Sequence, residues 1–356
     1  MEKSELVFIG FFLFILVVII LVTSSDLQRA LLGALRMDGS GLAGNRAPEL
    51  AGIRGYINKE NVTIGENIGK KVILVDFWAY SCINCIRTLP FLRAWQAKYA
   101  EKGLLIIGVH TPEFDFEKYY GNVKKAVEAN GLTYPVVLDN DYATWRAYGN
   151  HYWPAKYLID RNGKIVYTHF GEGNYEETED KIRELLADLN GAPIESDSSA
   201  TQGLETVDYR GIGTPELYFG YNFRRAPLGN QPVVMEIGGE YEFKLPEKLE
   251  PNIPYLEGRW ADLGDSLELA GDEGRIVIYY RAKDVNLVAG MAGAYPEANI
   301  GVGGKLSALI DGKNAGTSDI SGYGLYRVVR GANYAEHRLE LVITGKNVRI
   351  YAFTFG

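Results

Sequence analysis

Residues 76–91 read DFWAYSCINCIRTLPF and carry the chain's two cysteines, Cys82 and Cys85, with two residues between them. Such a pair can be a working redox couple, half of a metal site, or two packed core thiols. Just upstream, VILVDFW at 72–78 is a β-branched and aromatic run suited to a strand buried on both faces. Downstream, Leu89, Leu92 and Trp95 recur at helical spacing until Gly103, and Pro90 falls inside that helix, where it would kink it. The cysteines therefore stand where a strand hands over to a helix. A helix start offers unpaired N–H groups and partial positive charge, which favour thiolate over thiol. On that ground Cys82 is the expected nucleophile. Cys85, one turn later on the same face, lies close enough to resolve a mixed disulfide.

The other two readings are weaker. Zinc takes about four ligands, whereas beyond the cysteines the chain offers only His110, His151, His169 and His337 and no second paired motif. No metal is expected. Two inert core thiols are common in general, but they explain neither the spacing nor the position at the junction.

Around this centre, LLIIGVH (104–110), YPVVLD and AKYLID read as further buried strands, and Asp115 to Asn130 as a helix. Arg161-Asn162-Gly163 is a hairpin turn, KIVYTHF its return strand, and YEETEDKIRELLADLN a closing amphipathic helix. Strands alternating with helices, then a terminal hairpin and helix, predict an α/β domain with a mixed sheet over residues 47–190. Residues 191–206 are small and polar and read as a linker. From 207 to 356 the texture changes to short alternating segments such as RIVIYYRA and HRLELVITG, separated by Gly, Asn or Asp. That pattern predicts an all-β sandwich of the jelly-roll type. Tyr218, Tyr221, Tyr255, Trp260 and Tyr323 could form a platform there for sugar rings or peptide, or simply fill the core.

A chain of 356 residues suits two such domains, and its formal charge of -8, without any run of Lys and Arg, excludes nucleic acid as the expected partner. At the amino terminus, LVFIGFFLFILVVIILV (6–22) approaches the length needed to cross a bilayer. We read residues 1–25 as a single uncleaved membrane anchor and 26–46, which include DGSGLAGNR, as a flexible tether. Lys3 before the span against Arg29, Arg36 and Arg46 after it leans slightly towards a cytoplasmic body; a translocated domain overrides so few charges, and an extracytoplasmic body is expected. Asn61-Val62-Thr63, a glycosylation pattern, is a weak hint in that direction.

ILVDFWAYSCINC resembles the active-site stretch of the thioredoxin superfamily, with Asp76 six residues before the first cysteine and Pro90 five after the second. HYWPAKYLID is similar to that family's cis-proline loop and following strand. The resemblance implies that Pro154 stands opposite the cysteines, and that Asp76 is a buried carboxyl relaying a proton for Cys85. It also implies that Trp78 and Trp153 shape the apolar surface around Cys82, although either could be plain core; Arg87 could add positive potential near the pair or simply belong to a solvated helix face. SCINC and the insert EANGLTYPVVLDND resemble the TlpA-like membrane-linked thiol–disulfide proteins and most of all the carboxy-terminal part of the DipZ group, whose last domain, opening like GTPELYFGY here, has a fold like carbohydrate-binding modules.

That resemblance implies an enzyme, a membrane-anchored thiol–disulfide oxidoreductase that reduces protein disulfides. Its redox group would be a Cys82–Cys85 disulfide and no other cofactor. DipZ proteins begin with several electron-carrying spans, and this chain shows one, so a separate membrane electron donor resembling CcdA is expected. Protein disulfides or thiols, apocytochrome cysteines among them, would be the clients, and a carbohydrate or protein could bind the sandwich. Ile83 and Asn84 match neither the Gly-Pro of reducing thioredoxins nor the Pro-His of strong oxidants, and leave the direction of electron flow open. A thiol peroxidase is the first alternative; it would need Pro and Thr where Val75 and Ala79 stand. A non-enzymatic surface-binding protein is the second.

Overall fold

The computed structural model describes residues 44–195, 201, 203, 204, 206–292 and 303–356. The expected anchor and nearly all of the expected tether lie outside the described residues. Among those described, no helix is long and apolar enough to cross a membrane.

The amino-terminal body is built on a six-stranded sheet. In chain order it runs β1 (Tyr56–Ile57), β2 (Val72–Trp78), α1 (Ile83–Tyr99), β3 (Leu104–His110), α2 (Tyr120–Ala129), β4 (Val136–Leu138), α3 (Ala143–Ala147), β5 (Ala155–Ile159), β6 (Ile165–Phe170) and α4 (Tyr175–Asn190). The strands lie in the order β1-β4-β3-β2-β5-β6. β2, β3 and β4 are parallel, and β5 and β6 run against them. β2 is central and buried along its whole length, which is why its sequence reads as a continuous apolar run. Its side chains divide by parity: Val72, Leu74 and Trp78 join α1 and α4 in one core, whereas Ile73, Val75 and Phe77 meet Trp145, Tyr148 and Tyr157 in the other. Asp76 lies among the first set and is the one acid within the strand. The hairpin at Asn162-Gly163 forms as expected: Gly163 takes φ +80°, and Asp160 accepts from the N–H groups of Asn162 and Lys164.

The helix expected over 115–130 is broken. Asp115–Lys118 forms a separate 3₁₀ turn and α2 begins only at Tyr120. The physical reason is Glu117, whose carboxylate turns back to accept from the N–H groups of Glu113 (2.6 Å) and Phe114 (3.1 Å) and closes a tight loop.

The carboxy-terminal body is rich in antiparallel sheet. Its strands are β7 (Leu217–Tyr218), β8 (Glu240–Phe243), β9 (Tyr255–Asp262), β10 (Leu267–Leu269), β11 (Glu273–Met291), β12 (Gly304–Ile310), β13 (Lys313–Ile320), β14 (Gly324–Thr344) and β15 (Val348–Phe355). They connect in the order β13-β12-β14-β11-β15-β10-β9-β8, with β7 on β15. Leu256, Trp260, Ile276, Leu341 and Phe353 lie in its core, and a buried Arg224–Asp262 ion pair ties one loop to β9.

The two bodies share an aromatic seam. The loop after β3 projects Phe114 and Phe116; Phe116 stacks on Tyr323 with centroids 5.0 Å apart and meets the Tyr351 ring edge-on at 4.8 Å. Phe114 packs against Tyr351 at 4.9 Å and Phe223 at 5.5 Å. Tyr218, Val288, Tyr351 and Ala352 belong to the same apolar cluster as Trp78, Cys85 and Trp95. Of the five rings considered for a ligand platform, Tyr255 and Trp260 are buried core, Tyr218 and Tyr323 fill the seam, and Tyr221 alone is exposed.

Candidate active site

β2 ends at Trp78, and four residues later Cys82 caps α1 with an extended backbone. Its Sγ accepts from the Cys85 N–H at 3.2 Å, and the two sulfurs are 2.6 Å apart. Cys82 is partly exposed and Cys85 is buried. The turn between strand and helix is pinned from the side. Tyr80 N–H donates to His110 Nε2 at 3.2 Å, and Ser81 donates to Glu117 Oε1 from its N–H (3.1 Å) and its hydroxyl (2.7 Å). Burial pushes the His110 pKa down to about 3, so its imidazole is neutral and accepts that bond.

The electrostatics correct one expectation. The helix start does reach Cys82, through the single N–H of Cys85, but burial outweighs it. Desolvation first, then the hydrogen bond and charge of the neighbouring sulfur, and then the Glu113 carboxylate push the Cys82 thiol well above its ordinary value. Burial also raises the Cys85 thiol, against the hydrogen bonds from Cys82 and from the Ala79 backbone. With the seam closed as observed, the pair is held as thiols.

Below the sulfurs lies an acid–base pair. Asp76 is buried with both carboxylate oxygens unpartnered, and desolvation lifts its pKa to about 7, with the charge of Lys156 acting in the opposite sense. The strand register sets Lys156 of β5 directly across from Asp76 of β2. Lys156 is itself fully buried; its Nζ has one long contact, to the Gly171 carbonyl at 3.4 Å, and lies 5.8 Å from the centre of the Tyr175 ring. Burial lowers its pKa, while Asp76, Cys85 and Glu172 raise it. Asp76 also acts on the Cys85 thiol, so carboxyl, ammonium and the inner sulfur form one coupled set.

The same register pairs Phe77 with Ala155 and so brings Pro154 level with Trp78, beside the turn that bears the cysteines. The Trp153–Pro154 bond is cis. Trp153 donates from Nε1 to the Thr111 carbonyl at 3.0 Å, and Thr111 N–H donates to the Trp78 carbonyl at 3.0 Å, which ties this loop to the end of β2. The Pro154 carbonyl accepts from Gly171, whereas the Trp153 N–H and carbonyl have no protein partner among the described residues. Trp78 itself is fully buried, and Trp153 is half-buried against Trp145, ring centroids 4.2 Å apart. Arg87 is paired with Glu172 at 3.3 Å. Among the described residues no group of His, Cys, Asp and Glu could hold a metal ion.

Sequence reasoning missed Lys156, Glu113 and Glu117, and considered Tyr218 only for a ligand platform on the second domain. Tyr218 of β7 lies across the seam with its hydroxyl 2.6 Å from Glu113 and 2.9 Å from Glu216. One phenolic hydrogen cannot serve both carboxyls, so the trio holds a second proton or a frustrated charge, and Glu113 is raised to about 8 by burial and by Glu216.

A cysteine pair at a strand-to-helix turn, over a buried carboxyl and beside a cis-proline, on a sheet of this order, marks a thioredoxin-like protein. The comparisons agree. Residues 42–186 match the Redoxin family, and residues 214–356 match the family described as the thioredoxin-like C-terminal domain. The chain is 39% identical over 333 residues to the protein DipZ of Mycobacterium tuberculosis, covering 91% of this chain and 44% of that protein, so it spans under half of this relative's length. It is 30% identical over 141 residues to the thiol-disulfide oxidoreductase YkuV of Bacillus subtilis, covering 40% of this chain and 94% of YkuV. Among solved structures it is similar to that of a thioredoxin-like protein in the oxidized form, with 30% identity, a TM-score of 0.38, and coverage of 40% of this chain and 95% of that one. The chain belongs to the thioredoxin-like thiol–disulfide oxidoreductases.

Proposed function

We propose that this protein reduces disulfide bonds in protein clients through Cys82 and Cys85. The observation that carries this reading is the pair of sulfurs 2.6 Å apart at the start of α1, backed by the buried Asp76 and Lys156. The Cys82 thiolate attacks one sulfur of the client disulfide; that S–S bond breaks, and the departing client sulfur takes up a proton. The client strand lies along the Trp153 backbone, whose free N–H and carbonyl suit strand addition. Cys85 then gives its proton to the Asp76 carboxylate and attacks the Cys82 sulfur, which releases the second client thiol and leaves Cys82 joined to Cys85. Two electrons have passed to the client. A separate membrane donor resembling CcdA returns the pair to thiols.

The remaining assignments belong to the same reading. Residues 1–25 anchor the chain by one span, with the catalytic body outside the cytoplasm. The carboxy-terminal sheet is a jelly-roll sandwich. In support, β11 and β14 have 19 and 21 residues and would reach roughly 60 Å or more if straight, while register shifts at Ala282/Asp284 and Val285/Asn286 let β11 bend. That domain docks on the redox body, and a carbohydrate or protein ligand on its outer surface is a further assignment.

The test is insulin reduction with dithiothreitol by the full chain in detergent. Cys82→Ser should abolish catalysis, and Cys85→Ser should trap a mixed disulfide. Because burial holds Cys82 as a thiol, the wild-type rate should climb steadily as pH rises from neutrality. Unchanged turnover in the Cys82→Ser protein refutes the mechanism. For sidedness, a membrane-impermeant thiol reagent should label Cys82 in intact cells after reduction; labelling only in lysate reverses the topology.

A further inference from the structure

Between α1 and the carboxy-terminal sheet lies a cleft of about 640 Å³, within the range of ligand sites. Its near wall includes Ile83, which stands between the two cysteines, and Ile86 and Pro90 on the next turns of the helix. Its charged lining is mostly basic, with Asp284 and the Gly356 end of the chain on the other side of the balance. Arg87 and Arg330 are committed to Glu172 and Asp284, but Arg93, Lys283 and Arg327 have no carboxylate partner among the described residues. Three free cations in one cleft run against the chain's formal charge of -8. Two of them, Lys283 and Arg327, come from the second domain. The redox body alone has only half of this wall.

We propose that this cleft is the specificity site for the client, taking an extended segment rich in Asp or Glu next to the client's reactive cysteine. It deepens the reductase reading and rests on it. The geometry sets the spacing. The client cysteine is joined to Cys82, and Arg93 stands eleven positions beyond it, about 16 Å along the helix, so an acidic residue meets Arg93 when it stands roughly five extended positions from the client cysteine. Ile83, Ile86 and Pro90 give the segment an apolar floor, and the three cations give it direction. A client bearing Lys or Arg at those positions is rejected, because its charge would have to be buried against like charge. The second domain thereby supplies selectivity to the reaction, without any part in the bond exchange.

Two synthetic disulfide peptides test this on the full chain in detergent, one with three Glu residues beginning at the third position after the cysteine, the other with Gln at the same places. At low salt the wild-type protein should favour the acidic peptide in kcat/KM by roughly tenfold or more. That ratio should fall towards one near 1 M salt, where charges are screened within about 3 Å. Arg93→Gln, Lys283→Gln and Arg327→Gln should each lower the ratio, and the triple Glu substitution should bring it to one or below. The ratio is internal to each preparation, and the three single changes keep the test intact if the triple variant does not fold. Equal kcat/KM for the two peptides in the wild-type protein overturns the inference while leaving the reductase reading standing. Failure to reduce either peptide or insulin overturns that reading itself.

Discussion

At the scale of single residues, the decisive fact is a carboxyl and an ammonium enclosed together under the sulfurs. The Asp76 pKa is raised to about 7 in the folded chain, above its ordinary value near 3.9 in the unfolded one. The folded state therefore holds this proton more tightly, and its contribution to stability is lost as pH rises from about 4 to about 7, then levels off. Asp76→Asn removes that loss. At pH 8 the variant should resist denaturant better than wild type, by up to about 4 kcal/mol, while resolution of the mixed disulfide slows by a hundredfold or so; equal stability at pH 8 would show that the carboxyl is solvated. Lys156→Met takes away the charge that lowers the Asp76 pKa. The pH midpoint of the resolving step should then move up by about one unit, with the rate recovering in alkali, and an unmoved midpoint in the folded variant would deny the coupling. Asp76 was singled out by the resemblance of its stretch to the thioredoxin active site, whereas nothing in the sequence pointed to Lys156. It stands in AKYLID, a run read as a strand with no role assigned to its lysine, and only the antiparallel register of β2 and β5 sets it across from Asp76.

At the scale of elements, the loop between β3 and α2 organises the site. Glu117 accepts from four donors, the N–H groups of Ser81, Glu113 and Phe114 and the hydroxyl of Ser81. It thereby binds the turn before Cys82 to the 3₁₀ turn at Asp115–Lys118. Glu117→Ala leaves these buried groups unpaired and should destabilise the protein by about 3 kcal/mol or more, read as a drop in the denaturation midpoint; a change within experimental scatter would mean that the loop is held by its rings alone. Five of the six strands of the redox body were readable as short runs rich in apolar residues, whereas the two-residue β1 (Tyr56–Ile57) is too short to show a pattern. The break at Lys118 was hidden, since Phe116, Val123 and Val127 fit a helical period just as well as a turn followed by a shorter helix. Nor could any periodicity reveal that Phe114 and Phe116 face another domain, because an aromatic bound for a seam and one bound for its own core look alike in sequence.

At the scale of the whole molecule, both bodies close over one apolar cluster. Phe116→Ala removes a ring stacked between them and should weaken their association by roughly 3–4 kcal/mol, so that protease cleavage in the 191–206 segment speeds up and unfolding splits into two steps. A single unchanged transition would mean that the domains hold together without this ring. The division into an α/β half and a β-rich half was plain from the change in texture near residue 207; the fact that the halves share an interior was not, because it depends on Tyr323 and Tyr351, far along the chain, meeting rings near position 115. A practical warning follows from that shared interior. A fragment trimmed to the first half would bare Phe114 and Phe116 to water and invite self-association, and its thiols would titrate in a wetter setting than the intact protein provides. Rates and potentials measured on such a fragment would describe a different reagent.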